Sequence, residues 1–539
     1  MKNKKNKKNK KDNSPRVNSA EQEKIFQSVI NYKYLPVVFA LLYLIILSFL
    51  SFTFHKIGDY GVETDFYQSY VPAAQEFLKG NILIDAFRGP LYQIVLGVFA
   101  FVVGEYLKAG MIINLLSASA VIFFTMSIVR KLFSNEYSFF TGLLLVINPI
   151  FIQYTYSAGT DMFFNALVSL AIFLFFLKDE FKYLNLVFAA FVTGLAYLTR
   201  YNGIFLIIFF FIILIINYRD INLKTKIKSA FIFLGTFFIT ISPWGIFLSI
   251  KKGSFFYNDN YRNIAYELYA KGKISWDSFW YSGNNQFSSL TGVILKDPIN
   301  FVIHMLQNVY QHFLLDMERL IGWQLGVLVI LGIIVFLINN PLKYLKSRKF
   351  VYLTSGGVFF LILLLVFYSE RFSLFLIPFY IVIALYPLFS NRKSLKSFIP
   401  KPVLFIIIIV ISLFTFTKAY SYNSLRIDSG PKEILLLRDW YFANVPEAER
   451  GKTIAARKPQ VAYYLKMQFN VIPIADNYQD FLNKIKKEKD DYIYFGLMEA
   501  QTRPALRGLL NPKNNFPGLR PIVYFSNPPA VLYKVEKDN

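Results

Sequence analysis

The chain is a succession of apolar runs, most of them close to the length that a helix needs to cross a lipid bilayer. The hydrocarbon core of a bilayer is about 30 Å thick, which about 20 helical residues span. Backbone polar groups find no water there, so such runs fold as helices whose hydrogen bonds are internal. Charged residues make up only 17% of the chain, against roughly 25% in soluble globular proteins. We therefore expect a polytopic α-helical membrane protein rather than several soluble domains.

Eleven of the runs predict membrane-spanning helices. They lie near Leu35–Phe54, Ile112–Val129, Ser138–Tyr154, Phe163–Leu177, Leu184–Leu198, Ile204–Asn217, Ile227–Ile246, Trp323–Ile338, Val351–Tyr368, Leu374–Phe389 and Leu404–Lys418. The first has no small-residue cleavage site of the kind that ends a signal peptide, so we expect it to be retained. A further apolar run, Leu91–Val103, predicts an interfacial or re-entrant helix, because a crossing there would move every later basic loop to the other side of the membrane.

Basic residues orient these helices. They are concentrated in alternate loops, at Arg130 and Lys131, at Lys178 and Lys182, and in the tracts Arg219 to Lys228, Lys343 to Lys349 and Arg392 to Lys401. Cytoplasmic loops carry such an excess of Lys and Arg. Residues 1–33 begin with a Lys-rich stretch that cannot fold alone, so we expect a disordered basic tail against anionic lipid on the same side. The N-terminus is thus predicted to be cytoplasmic, with the protein in the cytoplasmic (inner) membrane.

The other alternate loops carry most of the distinctive polar and aromatic residues. Two of them are long, and we refer to residues 56–110 as the first loop and to residues 248–322 as the second loop. Both belong to a predicted membrane domain, residues 34–419, and are expected to lie on the outer side. Residues 420–539 alternate strand and helix patterns and end in a hairpin pattern at Asn527-Pro528-Pro529, which predicts a small α/β extracytoplasmic domain.

The charge and residue usage exclude several classes of function. A formal net charge of +24 would suggest nucleic-acid binding in a soluble protein. Here the basic residues lie in short tracts between apolar runs, so we expect membrane lipids and no nucleic acid as partners. With no Cys and three His, disulfides, iron–sulfur clusters and His-rich metal sites are not indicated. The sequence contains no glycine-rich phosphate-binding loop, so a soluble nucleotide cofactor is not indicated.

Five charged residues far apart in sequence are expected on the side of the two long loops: Asp65, Arg88, Asp161, Arg200 and Arg371. A charge at the end of an apolar helix is costly unless it is paired, solvated or functional. Arginine suits a lipid phosphate because its planar fork binds two oxygens at once. Two other interpretations stay open. Each Asp could be a loop residue or a helix N-cap, and each Arg could be a structural ion-pair partner or snorkel to the interface.

Several short motifs, taken in their order along the chain, resemble those of a known family. An acidic residue follows the first span with Tyr67 and Tyr70 close behind it, and Arg88 precedes Gly-Pro-Leu-Tyr. Asp161 lies at the third outer turn, and LTRYNG, SPWGIF and ERF with a later Pro follow in order. This order resembles the GT-C-type membrane glycosyltransferases of family 39, which include protein O-mannosyltransferases and lipid A aminoarabinose transferases. The C-terminal ARKPQVAYYL resembles the outer domain of bacterial members, so the likeness covers residues 35–539.

The resemblance implies inverting transfer of a sugar from a polyprenyl-phosphate donor to an acceptor hydroxyl. It makes Asp65 the general base and Asp161 a residue that orients an Arg or the acceptor. The family's adjacent acidic pair is replaced here by Glu63-Thr64-Asp65, so Glu63 could be the base instead. Asp65 and Asp161 could also share a divalent cation through their oxygens, although a metal-free mechanism is equally compatible with the sequence.

Donor binding is carried over to the arginines. Arg88 stands where the family has a basic residue before Pro-Leu, and we expect it to hold the donor phosphate together with Arg371. Arg200 stands where relatives often have Lys, and Tyr67 and Tyr70 are candidate substrate-binding residues. The acceptor class stays open between a lipid, a glycan and a protein. The outer domain that eukaryotic protein mannosyltransferases insert between spans is not found, which lowers the weight of a protein acceptor.

Two other classes of function compete with the enzyme. A transporter or lipid-linked sugar flippase would be expected to place charges or broken helices near the bilayer midplane, often in repeated halves. Here the distinctive charges are expected at one side and no halves repeat, which favours the enzyme. An inactive scaffold that binds a partner through its C-terminal domain is the third possibility, and the presence of Asp65, Arg88 and Arg371 argues against it.

Overall fold

The computed structural model describes residues 19–178, 182–217, 219–281, 287–338, 344–389 and 401–536. In chain order the helices are α1 (Ser19–Asn31), α2 (Leu35–Phe54), α3 (Val71–Leu78), α4 (Leu91–Val103), α5 (Tyr106–Leu132), α6 (Asn135–Val146), α7 (Pro149–Tyr156), α8 (Thr160–Phe176), α9 (Tyr183–Thr199), α10 (Phe205–Ile216), α11 (Leu223–Lys252), α12 (Tyr261–Ala265), α13 (Trp276–Tyr281), α14 (Leu290–Lys296), α15 (Pro298–Leu315), α16 (Trp323–Ile338), α17 (Arg348–Leu363), α18 (Glu370–Ser373), α19 (Ile377–Phe389), α20 (Lys401–Arg426), α21 (Lys432–Asn444), α22 (Gln460–Leu465), α23 (Tyr478–Glu488) and α24 (Leu497–Thr502).

The helices confirm a multi-pass membrane protein. Within the described residues, five stretches are long and apolar enough to cross a bilayer: Leu35–Phe54, Tyr106–Leu132, Leu223–Lys252, Glu370–Phe389 and Phe405–Arg426. The pair α6 and α7 makes a sixth candidate if it is counted as one bent span. Shorter apolar helices occupy several of the other predicted positions, among them α8, α9, α10 and α16. The number of eleven spans stays a prediction.

The third predicted span is broken rather than straight. Helices α6 and α7 meet at an angle of 62°. Pro149 has no N–H and is the first residue of α7, and Asn148 before it is extended, with ψ 127°. The Asn148 side chain caps α7 by accepting from Phe151 N at 2.9 Å and donates to Leu320 O at 2.9 Å. The bend is therefore fixed by the Asn-Pro pair and tied to a distant part of the chain.

Helix α4 coincides with the apolar run that was predicted not to cross. Its 13 residues rise about 20 Å at 1.5 Å per residue, which is less than the thickness of the hydrocarbon core. Tyr92 and Leu96 are buried against α3 and α5, whereas Phe101 and Val102 are exposed. Its length fits an interfacial or re-entrant helix better than a span.

The basic tail predicted over residues 1–33 includes a helix. Residues 1–18 lie outside the described residues, as does most of the basic tract from Arg392 to Lys401. Residues 19–31 form α1, because Phe26 gives this segment an apolar anchor on the membrane domain. Its ring packs edge-on against Phe139 and Phe405, at 5.9 and 5.3 Å between centroids. The disorder predicted for the tail therefore does not extend over α1.

Aromatic rings fill much of the core between the helices. Phe205 and Phe359 come from α10 and α17, and Phe375 comes from the short 3-10 turn Leu374–Leu376 before α19. Each ring contacts the other two. Their centroids are 4.8 to 5.6 Å apart, within the range that edge-on and tilted pairs prefer. This packing holds the helices whose ends carry the charged residues.

The C-terminal region contains the expected strands and helices, and its strands form one mixed sheet. Its strands are β1 (Thr453–Ala456), β2 (Gln468–Val471), β3 (Tyr492–Gly496), β4 (Leu519–Ser526) and β5 (Pro529–Val535), in the order β2-β1-β3-β5-β4. Strand β1 is parallel to β2 and β3, and β5 is antiparallel to β3 and β4. The turn of the predicted hairpin lies at Asn527-Pro528, between Ser526 and its partner Pro529. Helices α22 and α23 connect the parallel strands.

This sheet region is fastened to the first loop. Lys458, just after β1, donates from Nζ to Thr64 Oγ1 at 2.9 Å. Gln460 Nε2 donates to Asp59 O at 2.8 Å. The C-terminal region thus contacts the chain segment that leads into Asp65, so it lies beside the charged end of the membrane domain rather than apart from it.

Candidate active site

All five charged residues singled out in the sequence meet at one end of the helix bundle. Asp65 lies directly before a π-helical turn, Phe66–Tyr70, that leads into α3, and Asp161 lies in the first turn of α8. Arg88, Arg200 and Arg371 come respectively from the segment before α4, the residue after α9 and the short helix α18. The expected convergence of residues up to 306 positions apart is therefore present in the structure.

Local sequence explains how Arg88 reaches this end. The following residue, Gly89, lies against the last turn of α9, where a Cβ atom would be 2.1 Å from Leu198 O. Only glycine allows this approach, because any side chain would overlap the carbonyl oxygen. Arg88 is thereby brought close to Arg200, which follows that same turn of α9.

Arg371 joins the two carboxylates. Its Nε donates to Asp161 Oδ2 at 2.6 Å, and its Nη1 donates to Asp65 Oδ2 at 2.8 Å. The guanidinium uses two edges of its planar fork, one for each acid, which a lysine could not do. The side chain is 17% exposed, so the bridge is shielded from solvent but not closed off.

Arg88 has one expected partner and one that sequence reasoning missed. Its Nη2 donates to Asp65 Oδ2 at 2.6 Å, and its Nη1 donates to Asp85 Oδ2 at 3.1 Å. Asp85 also accepts from the Phe87 backbone N–H at 2.7 Å, which folds the segment before Arg88 into a turn. The available signal was the spacing of an acid three residues before the arginine, at the start of the same turn.

The third arginine pairs with the second acid. Arg200 Nη1 donates to Asp161 Oδ1 and lies 3.5 Å from Thr160 Oγ1. The Tyr70 hydroxyl also contacts Thr160 Oγ1, at 3.0 Å, and the Arg88 guanidinium lies over the Tyr70 ring at 4.9 Å. Tyr70 thus packs beneath the charges as support.

Tyr67 is equally enclosed. Only 3% of it is exposed, and its hydroxyl accepts from Gly58 N at 3.1 Å and contacts the Tyr464 hydroxyl at 3.2 Å. Neither contact faces the charge cluster. In this structure Tyr67 therefore joins the first loop to the C-terminal region, and its use in binding substrate stays a prediction.

Glu63 differs sharply from Asp65 two residues later. It is 0% exposed, and its carboxylate accepts from Ala158 N at 2.6 Å and from Asp59 N at 2.9 Å. His55 Nε2 lies 3.0 Å from the same carboxylate. Every contact is a protein donor in the interior, so Glu63 has no open side from which an acceptor hydroxyl could approach.

Asp65, in contrast, has an accessible side. Its side chain is 31% exposed, and both arginines bind the same oxygen, Oδ2. Among the described residues no donor reaches Oδ1. Burial raises the pKa of the Asp65 carboxyl, but Arg88 and Arg371 outweigh burial and lower it below its usual value. The carboxylate is therefore ionised and offers one open oxygen.

The site does not fit a divalent cation shared by Asp65 and Asp161. The Arg371 guanidinium lies between the two carboxylates and binds both. In the part of the chain that the structure describes, no three His, Cys, Asp or Glu side chains form a group that could hold a metal ion. We therefore derive no step through a metal.

Comparison with known proteins shows one family match and several similar structures. Residues 88–247 match the family model described as dolichyl-phosphate-mannose-protein mannosyltransferase. Among curated protein sequences, none matches the chain. Among solved structures, ArnT from Cupriavidus metallidurans bound to undecaprenyl phosphate is similar, with a TM-score of 0.54 and 13% identity over 92% of this chain and 97% of ArnT.

A second solved structure has the same fold. The archaeal oligosaccharyltransferase AglB from Archaeoglobus fulgidus, in complex with an inhibitory peptide and a dolichol-phosphate, superposes with a TM-score of 0.54. The identity is 12%, over 86% of this chain and 70% of AglB. The resemblance to the GT-C-type membrane glycosyltransferases is therefore confirmed, by the family model over residues 88–247 and by the fold over most of the chain.

Proposed function

We propose that this protein transfers a sugar from a polyprenyl-phosphate donor to an acceptor hydroxyl. The observation that carries the proposal is the cluster of three arginines and two aspartates at one end of an apolar helix bundle. The N-terminus is cytoplasmic and the cluster faces the outer side of the cytoplasmic membrane, as the basic loops predict. Eleven spans and an extracytoplasmic C-terminal domain, residues 420–539, belong to the same proposal.

The arginines hold the donor phosphate. Arg88 and Arg371 are each within 2.8 Å of Asp65 Oδ2, so their guanidiniums converge on one small volume. A lipid phosphate entering there takes hydrogen bonds from both forks and stays at the membrane surface, because its polyprenyl chain remains in lipid. Arg200 adds a third positive charge behind them and neutralises Asp161. Donors aimed at a charged oxygen strengthen further as charge develops on the leaving phosphate.

Donor binding also prepares the base. Without donor, Asp65 is a poor base because Arg88 and Arg371 keep its pKa low. When the phosphate takes over those guanidiniums, Asp65 loses its partners and its proton affinity rises. Asp65 therefore becomes an effective base only after the donor is bound.

The chemical step is a single displacement. Asp65 takes the proton of the acceptor hydroxyl while the oxygen of that hydroxyl forms a bond to the anomeric carbon. The bond from that carbon to the phosphate oxygen breaks, the electron pair leaves on the polyprenyl phosphate, and Arg88 and Arg371 stabilise its charge. Attack opposite the leaving group inverts the anomeric centre. Asp161 touches neither reactant and holds Arg371 and Arg200 in place.

The acceptor is a lipid, a glycan or a protein. Membrane lipids are further partners, because they surround the helix bundle. A transporter or flippase is the alternative. A carboxylate with one open oxygen beside the arginines can act as a general base in sugar transfer, whereas moving a lipid across the membrane requires no base. The C-terminal region contacts the segment before Asp65 through Lys458 and Gln460, which suits selection of the acceptor or closure of the site.

The test is transfer from radiolabelled polyprenyl-phosphate sugars to membrane extract by the wild type and by Asp65→Asn. We expect transfer by the wild type and a loss of about 10²- to 10⁴-fold in the variant, the usual contribution of general-base assistance. Asp428→Asn is a matched control, because Asp428 lies after α20 and pairs with Lys432 at the surface. Undiminished transfer by Asp65→Asn would remove Asp65 as base. No transfer by folded wild type with any donor would favour the flippase.

A further inference from the structure

The first loop contains a buried acid, Glu63, beside the partly exposed Asp65. The contacts of Glu63 link the two parts of the chain that carry Asp65 and Asp161. Glu63 Oε1 accepts from Ala158 N at 2.6 Å across 95 residues of sequence. Ala158 is three residues before Asp161, in the turn between α7 and α8. Glu63 is two residues before Asp65. One carboxylate thus holds the approaches to both aspartates.

The other oxygen of Glu63 shapes the first loop itself. Oε2 accepts from Asp59 N at 2.9 Å, and the Glu63 carbonyl oxygen accepts from Tyr67 N at 3.4 Å. Gly58 lies directly against the carboxylate, where a Cβ would be 2.9 Å from Oε2. The segment from Gly58 to Asp65 is therefore wrapped around the Glu63 side chain.

His55 completes the buried group and shows its protonation state. Its Nδ1 lies 2.9 Å from Ile427 O, which can only accept a hydrogen bond, so Nδ1 carries a proton. Its Nε2 lies 3.0 Å from the carboxylate of Glu63, which calls for a second proton. Burial lowers the pKa of His55, but Glu63 outweighs burial and raises it to about 9. His55 and Glu63 form a buried ion pair, with side chains 1% and 0% exposed.

We propose that Glu63 is a positioning residue, which fixes the Asp65 segment against the Asp161 turn through Ala158 and is itself fixed by His55. The inference rests on the proposed function for its effect on rate, but not for its effect on structure. Arg371 joins the two aspartates from the substrate side and must give up part of this bridge when the phosphate binds. Glu63 joins the same two segments from the interior, so their separation is kept while the arginines change partners.

The size of the effect follows from this geometry. Misplacing a catalytic group by about 1 Å costs up to about 100-fold in rate. Removing the link should therefore slow transfer about 10- to 100-fold, less than the loss of the base itself. Binding of the lipid phosphate should change little, because Arg88 and Arg371 remain in place.

The experiment compares Glu63→Gln with Glu433→Gln in the full-length protein. Glu433 is a matched control, since it is also buried and accepts from Tyr494 Oη at 3.2 Å, but in the C-terminal region. Hydrogen exchange is followed by mass spectrometry over residues 57–66 and 155–161, together with transfer rate per folded protein and binding of undecaprenyl phosphate. Because Glu63→Gln leaves His55 without its partner and could prevent folding, the double variant His55→Gln/Glu63→Gln is measured beside it.

Faster exchange in both segments, slower transfer and retained binding of undecaprenyl phosphate would support the proposal. Unchanged exchange in the two segments would overturn it, as would a transfer loss that only follows the folded fraction, as expected for Glu433→Gln. Loss of transfer as large as in Asp65→Asn with unchanged exchange would make Glu63 the base. If the wild type transfers no sugar, the proposed function fails, and the exchange over the two segments still decides whether Glu63 holds them together.

Discussion

Glu63 and Asp65 stand two residues apart, yet the structure gives their carboxylates opposite surroundings. Glu63 is fully buried, and its partners are backbone N–H groups and His55, all of which belong permanently to the fold. Asp65 is 31% exposed, and its partners are arginines that also suit a phosphate. Both carboxylates accept hydrogen bonds from the protein, so hydrogen bonding alone does not separate the two roles.

The difference lies in whether a substrate can compete for the partners. A backbone N–H cannot leave its place without unfolding the segment, whereas a guanidinium on a flexible side chain can exchange one oxygen for another. A buried charge also costs several kcal/mol unless its partners stay fixed. We therefore infer that the buried Glu63 holds the site together and that the partly exposed Asp65 takes part in the chemistry.

Among the binding changes that test this comparison, substitution of Arg371 should cause the largest. Arg371→Gln removes the charge that joins Asp65 and Asp161, so binding of undecaprenyl phosphate should weaken about 10- to 100-fold, the value of a charged hydrogen bond or two. Isothermal titration in nanodiscs measures it. Arg371→Lys restores the charge without the fork and should recover binding only in part. Arg438→Gln, at a surface guanidinium paired with Asp439, is the control. Equal binding by Arg371→Gln would leave the phosphate to Arg88 and Arg200.

A smaller change of opposite sign should follow from Asp65→Asn. The variant frees Arg88 and Arg371 from a competing carboxylate, so undecaprenyl phosphate should bind about tenfold more tightly although transfer is lost. The same titration tests this, with Asp428→Asn as reference. Weaker or unchanged binding would contradict the exchange of arginine partners between Asp65 and the donor phosphate.

The smallest effect is the change of thermal stability with pH that the His55–Glu63 pair should cause. The pKa of His55 is raised from 6.5 to about 9, so the proton it holds in the folded protein stabilises the fold fully below about pH 6.5. This contribution is lost as the pH rises through about 9. The Tm of the wild type should therefore fall between pH 7 and pH 9 by more than the Tm of His55→Gln, by a few degrees at most. Parallel curves from thermal unfolding of the two proteins would show that His55 is not charged in the fold.

Much of the fold followed from hydropathy and charge. The run Leu91–Val103 coincides with α4, and the strand and helix patterns of the C-terminal region match β1 to β5 with their connecting helices. These features depend on local sequence, because periodicity and turn residues select an element within one segment. The bend at Asn148-Pro149 and the helix α1 were missed, since each depends on contacts with distant parts of the chain.

The site was predicted as a set of residues but not as a set of pairs. The sequence predicted that Asp65, Asp161 and the three arginines lie at one end of the bundle, because the basic loops place all five on the same side of the membrane. Nothing in the sequence indicated that Arg371 joins the two aspartates, whereas the pairing of Asp85 with Arg88 had a signal in their spacing of three residues. Those distances are set by how helix ends far apart in sequence are packed.

The sequence by itself determined that this chain is a multi-pass membrane protein whose motifs resemble those of the GT-C-type glycosyltransferases, because hydropathy and motif order are properties of the linear chain. Only the tertiary structure decided between Glu63 and Asp65. Both are acids in the same short motif, and the motif contains nothing that distinguishes their solvation. Burial and the identity of the donors separate them, and the donors, Ala158, Arg88 and Arg371, come from other parts of the fold.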